Sequence, residues 1–529
     1  MNKEDTEHLL RECRTDSLLQ TLGIKSLSGR EAFFSQSNKW NTSVDRLRAR
    51  SEAWRRLKTV DGNAWESHLS TLLANEGILR EADPATASES QKEEWGQIHF
   101  TGEWSSLNFV PFLLVYIAIS KIFLAPFFAW MMPGITIFMP FLALKFIYKV
   151  PITWAMYWQS MKPMILGGLG GLIDGKMTVT SLLQSGGILF SYAQGMYIPY
   201  TNAKHCYEID QRMIRVSKTF HDTIVRLREI SDVWKSYGLQ TMWTFPEPST
   251  YGDERQTLAW IASDPHLLPQ VYMAIGLVEV MAAIRRSNAL VPVEWVNAST
   301  PMCKMENAID PLLNEGESVP YTLYMSSATH HAICTGPNRG GKSTFLRATL
   351  TNLMMAHVWG VAFAQRCILT PVDWIISSLR LEDSPGKQSL FEREVGVAGE
   401  ILRRLRSETS RGWVIIDELF HTTNPPDAAT ASQIFLHQLW DSERITSIVS
   451  THLFSHAETA PLHVQRLCLM SRLDESQSSN KINYTYEVVP GINTMSSVEE
   501  LLIESGILGA MNALSLPLKT SPNMTETDE

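Results

Sequence analysis

The C-terminal part of the sequence predicts an α/β domain built on an open sheet, preceded by a mainly α-helical region. Three short apolar runs predict the sheet: AIC at 332–334, WVII at 413–416 and ITSIV at 445–449. Each hands polar residues to the chain at its C-terminal end, respectively TGPNRGGKST, Asp417-Glu418 and Ser450-Thr451-His452. Strands that release polar residues at a common end describe the crevice of an open α/β sheet.

The first run carries the most specific chemistry. GPNRGGKS at 336–343 fits G-x-x-x-x-G-K-[ST], and TFLRATLTNLMMA after it reads as a helix, so strand, loop and helix follow in the order the motif demands. Glycines let backbone N–H groups turn inward around phosphates, Lys342 adds positive charge at the β/γ positions, and Ser343 offers a hydroxyl to Mg²⁺. Gly336, Pro337, Asn338, Arg339, Gly340, Gly341, Lys342, Ser343 and Thr344 are therefore the candidate nucleotide-binding residues of a P-loop NTPase domain. Asp417, at the end of a buried strand, is placed to hold Mg²⁺ together with Ser343, and Glu418 to orient or deprotonate an attacking water. The implied ligands are ATP and Mg²⁺, and the implied reaction is ATP hydrolysis.

TGPNRGGKSTFLRA, VIIDEL and STH, in this order and spacing, resemble the ATPase domain of the MutS mismatch-repair family. The resemblance implies that Asp417 and Glu418 are the Walker B pair and that His452 senses the γ-phosphate as part of the catalytic set. EDSPGKQSLFEREV at 382–395 looks like the family's segment whose serine, here Ser389, reaches across a dimer to the partner's nucleotide, with Phe391 and Glu394 in register. Thr423 and Asp427 fall where the family has a threonine and an aspartate. A homodimer or MutS-like heterodimer is implied, as is contact with DNA through helical arms. The sequence departs from the family in two places: FHTTNPP at 420–426 replaces a glycine-rich turn, and no Phe-x-Glu of the mismatch-reading kind occurs in the N-terminal part. The likeness is firm over 335–452, extends over 272–506 and is absent before that.

The rest of the chain divides by composition. Residues 1–104 read as short amphipathic helices ending in a polar linker, 105–160 as a hydrophobic segment, 161–305 as a helical, lever-like region, 306–510 as the ATPase domain and 511–529 as a disordered tail. Between 109 and 160 there is no acidic residue, and 122–144 is an uncharged run of 23 residues, long enough as a helix (~34 Å) to cross a bilayer core. Pro126, Pro133 and Pro140 recur within it, and Pro133-Gly134 is a turn signal, so a helical hairpin turning there fits as well as a straight span. The membrane is thus a candidate partner through 109–158, and a buried helical pair is the other reading. Further on, Ile209, Met213, Val216, Phe220, Ile224, Leu227 and Ile230 form an apolar stripe at helical spacing.

A net charge of −9 excludes a protein that is basic throughout, so contact with nucleic acid or anionic lipid needs a local patch. Arg46, Arg48, Arg50, Arg55, Arg56 and Lys58, with Trp40 and Trp54, are the candidate for one. Tyr321 and Tyr324 are the aromatics placed to stack on an adenine. Six scattered cysteines without CxxC pairing and an N-terminus without an apolar leader suit an intracellular chain, membrane-associated or else nuclear or cytoplasmic. The expected function is an ATP-driven conformational cycle coupled to DNA binding in mismatch repair; the alternative is a membrane-anchored mechanochemical ATPase without mismatch recognition.

Overall fold

In the computed structural model, the structure describes residues 1, 3–166, 179–241, 243–314, 316–379, 390–406, 410–420, 424–473, 482–495, 497, 502 and 505. Ser389, Thr423, the glycine-rich stretch at 167–175 and the tail at 511–529 lie outside the described residues. The chain divides into two compact units, one of residues 1–62, 234–239 and 276–529, the other of residues 63–233 and 240–275. The first 62 residues therefore belong with the sheet, not with the helices that follow them in sequence.

The first unit holds twelve strands among the described residues: β1 (Leu290–Pro292), β2 (Glu294–Trp295), β3 (Cys303–Ala308), β4 (Tyr321–Met325), β5 (His331–Thr335), β6 (Val361–Phe363), β7 (Arg366–Leu369), β8 (Trp374–Ser378), β9 (Gly412–Ile416), β10 (Ile445–Ser450), β11 (Val464–Leu473) and β12 (Ile482–Pro490). The main sheet has the order β12-β11-β5-β10-β9-β8. Its pairs from β11 to β8 are parallel and β12 runs antiparallel at the edge. The three runs read from the sequence are β5, β9 and β10, and they lie side by side. Their continuous hydrophobicity has a simple cause: every residue of the three strands is buried, which an alternating strand could not match.

The helix Lys342–Trp359 follows β5, and Gly360, with φ 76°, ends it. Its last carbonyls are met by α4 (Val44–Thr59), which follows α1 (Lys3–Glu12), α2 (Thr15–Thr21) and α3 (Leu27–Ser37). Arg50 Nη1 donates to the carbonyls of His357 (3.0 Å) and Val358 (2.5 Å), Trp54 Nε1 to Trp359 O, and Ser51 Oγ to Gly360 O. A guanidinium at a helix C-terminus satisfies orphan carbonyls and faces the negative end of the macrodipole. Arg48 and Lys58 likewise donate to the carbonyls of Trp295 and Leu290, while Arg55 and Arg56 pair with Glu52. Three of the six cations thus bond backbone carbonyls, Arg50 at a helix end and Arg48 and Lys58 at strand residues, and two pair with Glu52; the sequence shows the cations but not the carbonyls they meet.

The second unit is helical. Its long helix Val179–Ser236, which continues past this unit at its last residues, starts well before the amphipathic stripe and runs through Pro199. All seven stripe residues from Ile209 to Ile230 are buried, and Arg255 clamps Asp210 with two bonds of 2.9 Å. The apolar segment behaves otherwise. Residues 111–147 form one uninterrupted helical run, about 55 Å long at ~1.5 Å per residue, with π-helical turns at Ser120–Leu124 and Ala143–Ile147. Of the two readings open at Pro133-Gly134, a turn and a straight helix, the structure has the straight one: the chain stays helical there and reverses at 148–153, where Lys149 has φ 51° and Pro151 follows. The π-turn before Pro126 widens the helix where the proline ring would strike the carbonyl four residues back, which removes one reason to break. After the reversal, helix Trp154–Leu166 folds back, with Trp154 stacked on Phe138 at 5.0 Å and Tyr157 Oη donating to Ile137 O at 2.8 Å.

Among the described residues, two helices are long and apolar enough to cross a membrane. Leu267–Arg286 has 72% of its apolar window buried and is an ordinary core helix, whereas Pro111–Met132 has 17%. Along the apolar run and the long helix, Phe112, Phe123 and Phe127 stand 74%, 64% and 53% exposed, and Phe138, Phe146, Leu183, Phe190 and Tyr197 are exposed as well.

Candidate nucleotide site

β5 ends at Thr335, and the loop 336–341 turns the chain into the helix that starts at Lys342. The loop's conformation explains its residue types. Gly336 and Gly341 have φ 151° and 94°, where a side chain is strained. Gly340 is small for a different reason, since a Cβ there would lie 2.9 Å from Pro337 O. Arg339 takes φ 65° without that freedom. Lys342 is 5% exposed, and its ammonium donates to Gly336 O (2.9 Å) and Pro337 O (3.1 Å). Burial pulls its pKa down, and the facing carboxylates of Glu418 and Asp417 oppose that shift.

The ends of β9 and β10 form one hydrogen-bonded cluster. Ser450 Oγ donates to Asp417 Oδ1 (2.5 Å) and accepts from Glu418 N–H (2.9 Å), so it fixes both members of the acidic pair. Glu418 sits at φ 57°, a left-handed conformation that costs a non-glycine residue roughly 1 kcal/mol or more. Its Oε1 lies 2.8 Å from His452 Nε2. The three strand ends therefore bring together Lys342, Asp417, Glu418 and His452, the residues the sequence singled out.

Residues 332–500 match the family described as MutS domain V. This segment is similar to MutS domain V. The DNA mismatch repair proteins MutS of two strains of Treponema pallidum, one of them Nichols, are each 32% identical over 185 residues, which is 34% of this chain and 20% of each relative. The chain thus covers about a fifth of the length of these relatives.

Beside the 336–341 loop lies a cavity of about 500 Å³, lined by Pro337 to Phe345, Glu418, Tyr321 and Tyr486 among others. Tyr324, half exposed on the small sheet, does not line it, and Tyr321 is buried, edge-on to Phe345, with its hydroxyl accepting from Thr349 (3.0 Å). Tyr486 was not foreseen. It arrives on β12 with φ 61°, its ring 3.1 Å from where a Gly341 Cβ would stand. No local signal marks it, because a hairpin at the sheet edge carries it there from almost 150 residues away in sequence. Phe391 packs on the core beside Phe420, Glu394 is buried, and Asp427 is exposed in a helical turn capped by Asn424.

The residues fit Mg²⁺–ATP. The glycines leave room where any Cβ would intrude, the buried ammonium stands at the loop, and Ser343 with Asp417 supplies hard oxygen ligands. No group of three or more His, Cys, Asp or Glu suited to a metal occurs among the described residues.

Proposed function

We propose that the protein is a MutS-like ATPase that binds Mg²⁺–ATP at the 336–343 loop and hydrolyses it to drive a conformational cycle. The supporting observation is the cluster at the sheet's C-terminal edge, where Ser450 holds Asp417 and Glu418, and Glu418 meets His452. Lys342 and the loop N–H groups bind the β- and γ-phosphates; Ser343 and Asp417 hold Mg²⁺, which neutralises phosphate charge when bound. Glu418 orients the attacking water and takes its proton, and His452, one hydrogen bond away, reads whether the γ-phosphate is present. Ser389 contributes in trans within a dimer, so the cycle closes and opens two copies. The test is ATP turnover by the full-length protein and by Lys342→Ala. Loss of binding and turnover in the variant is expected; equal turnover in both would sink the assignment.

What the cycle moves is a second proposal. The name of the relatives suggests DNA, but the apolar helices of the second unit favour a bilayer. Residues 111–144 carry one charge, Lys121, and 179–203 carry none, each long enough at ~1.5 Å per residue to cross roughly 30 Å of hydrocarbon. Trp130 Nε1 donates to Met196 O (3.2 Å), so the two segments lie together. Their aromatic and aliphatic side chains face outward where a soluble bundle would face inward. We read the protein as a membrane-anchored, intracellular mechanochemical ATPase. Retention in the pellet after carbonate extraction is expected; release into the supernatant, with salt-dependent preference for heteroduplex over matched DNA, would return the reading to a DNA-coupled one.

A further inference from the structure

We propose that a second, arginine-lined cavity beside Ser343 receives the terminal phosphate of the bound nucleotide, making the N-terminal helix α1 a sensor that separates triphosphate from diphosphate. The inference rests on the ATP-binding reading above and assigns that site a cation source that the strand motifs do not contain.

The cavity, about 200 Å³, is lined by His8, Arg11, Glu12, Arg14, Arg347, Arg393, Leu379 and Ser343. Ser343 also lines the nucleotide cavity, so the two meet at the hydroxyl assigned to Mg²⁺. Leu379 follows the last residue of β8, and Ser378 pairs with Ile416, which puts this wall level with Asp417; Asp417 N–H donates to Ser378 O at 2.9 Å. The cavity thus borders the Mg²⁺ side of the site. Arg347 stands one helical turn beyond Ser343 on the same face.

α1 is held against this edge at three points. His8 Nε2 is 3.0 Å from Ser377 O, Leu379 N–H donates to Glu12 Oε1 at 3.0 Å, and Asp5 pairs with Arg404 at 2.9 Å. Leu9, Leu10 and Cys13 are buried beneath it. Arg14 then takes φ 48°, ψ 53°, a left-handed turn unusual for a non-glycine residue, before α2 begins. The result is four guanidinium groups from three parts of the chain around one small space. Two acids border the cavity's groups: Glu12 accepts the Leu379 N–H, and Asp310 pairs with Arg347 at 3.0 Å, which holds that guanidinium in place. A guanidinium fork matches phosphate oxygens in shape and charge, and a γ-phosphate at the loop would enter this space while a diphosphate would stop short of it.

The test uses full-length protein and Mg²⁺, with a non-hydrolysable ATP analogue and ADP titrated by calorimetry into wild type, Arg11→Ala, Arg14→Ala, the double variant and Arg11→Lys. Expected are a loss of about tenfold or more in affinity for the triphosphate analogue in the double variant, unchanged affinity for ADP and an unchanged melting temperature. Arg11→Lys should recover part of the loss. Equal losses for both nucleotides, or no loss for either, would overturn the inference while leaving the ATPase reading standing. Wild-type protein that binds neither nucleotide would overturn both.

Discussion

The carboxyl edge of the main sheet and the apolar helices of the second unit depart from ordinary protein surfaces in opposite directions. At the sheet edge a charged group is buried: Lys342 is 5% exposed, held by loop carbonyls and faced by carboxylates. In the apolar helices, hydrophobic groups are exposed: Phe112 is 74% and Phe146 66% accessible. A buried charge is tolerable only where hydrogen bonds and counter-charges replace water, and a broad apolar surface only where something other than water covers it. Both departures cost stability in an isolated soluble chain. The partners proposed above, a phosphate in the first case and hydrocarbon in the second, would each offset one of these costs.

The comparison can be broken most sharply at Glu418. Glu418→Gln keeps the size and the approach to His452 but removes the base, so steady-state ATP turnover should fall by about 10²- to 10⁴-fold with nucleotide binding retained. Near-normal turnover would move the base elsewhere. The next largest effect belongs to the other region. Replacing Phe112, Phe123 and Phe127 by Glu should release the protein from membranes, since a charge at bilayer depth costs about 2.5–3.5 kcal/mol each, yet leave the melting temperature of detergent-free protein unchanged or raised. A large fall in that melting temperature would mean these side chains are core residues after all.

A smaller effect separates capping from ligand binding within the basic run. Arg50→Ala should cost about 2 kcal/mol in urea denaturation, because two carbonyls at a helix end lose a charged donor, whereas Arg55→Ala should stay within about 0.5 kcal/mol. Equal effects would argue against the capping account. Last comes pH. Burial pushes His331 down to about 3 and His357 to about 4, so both are neutral when folded and charge only when released. Their folded pKa values lie below the unfolded value near 6.5, so stability should be flat above about pH 6.5 and decline as pH falls toward 4. His331→Asn and His357→Asn should each flatten that slope in thermal melts taken across the range.

The parts of this molecule legible in the sequence are those whose cause is local. The 336–343 loop announces itself because the left-handed Gly336 and Gly341, the tight Gly340 and the flanking strand and helix all lie within one short stretch. The stripe from Ile209 to Ile230 follows from helical period alone, and all seven residues are buried. Asp417-Glu418 and His452 were readable as strand ends, and β9 and β10 are strands in parallel register.

Where cause is distant, the sequence was mute or misleading. It showed a cluster of cations but not the carbonyls of 295, 290 and 357–358 that Arg48, Lys58 and Arg50 meet, and of the two tyrosines it offered Tyr321 lines the cavity and Tyr324 does not, while Tyr486 arrives on β12 unannounced. Pro133-Gly134 left a turn and a straight helix both open, and the helix runs on to Ile147. Most of all, nothing near residue 11 suggests a phosphate; α1 reaches the sheet through contacts such as His8 with Ser377, 369 positions apart. Composition and period specify which face of an element is apolar and which loop can bend around an anion, because those depend on neighbours in the chain. Which residues meet across hundreds of positions, and whether an apolar face packs against protein or stays exposed, depends on how the elements pack, and only the tertiary structure decided that.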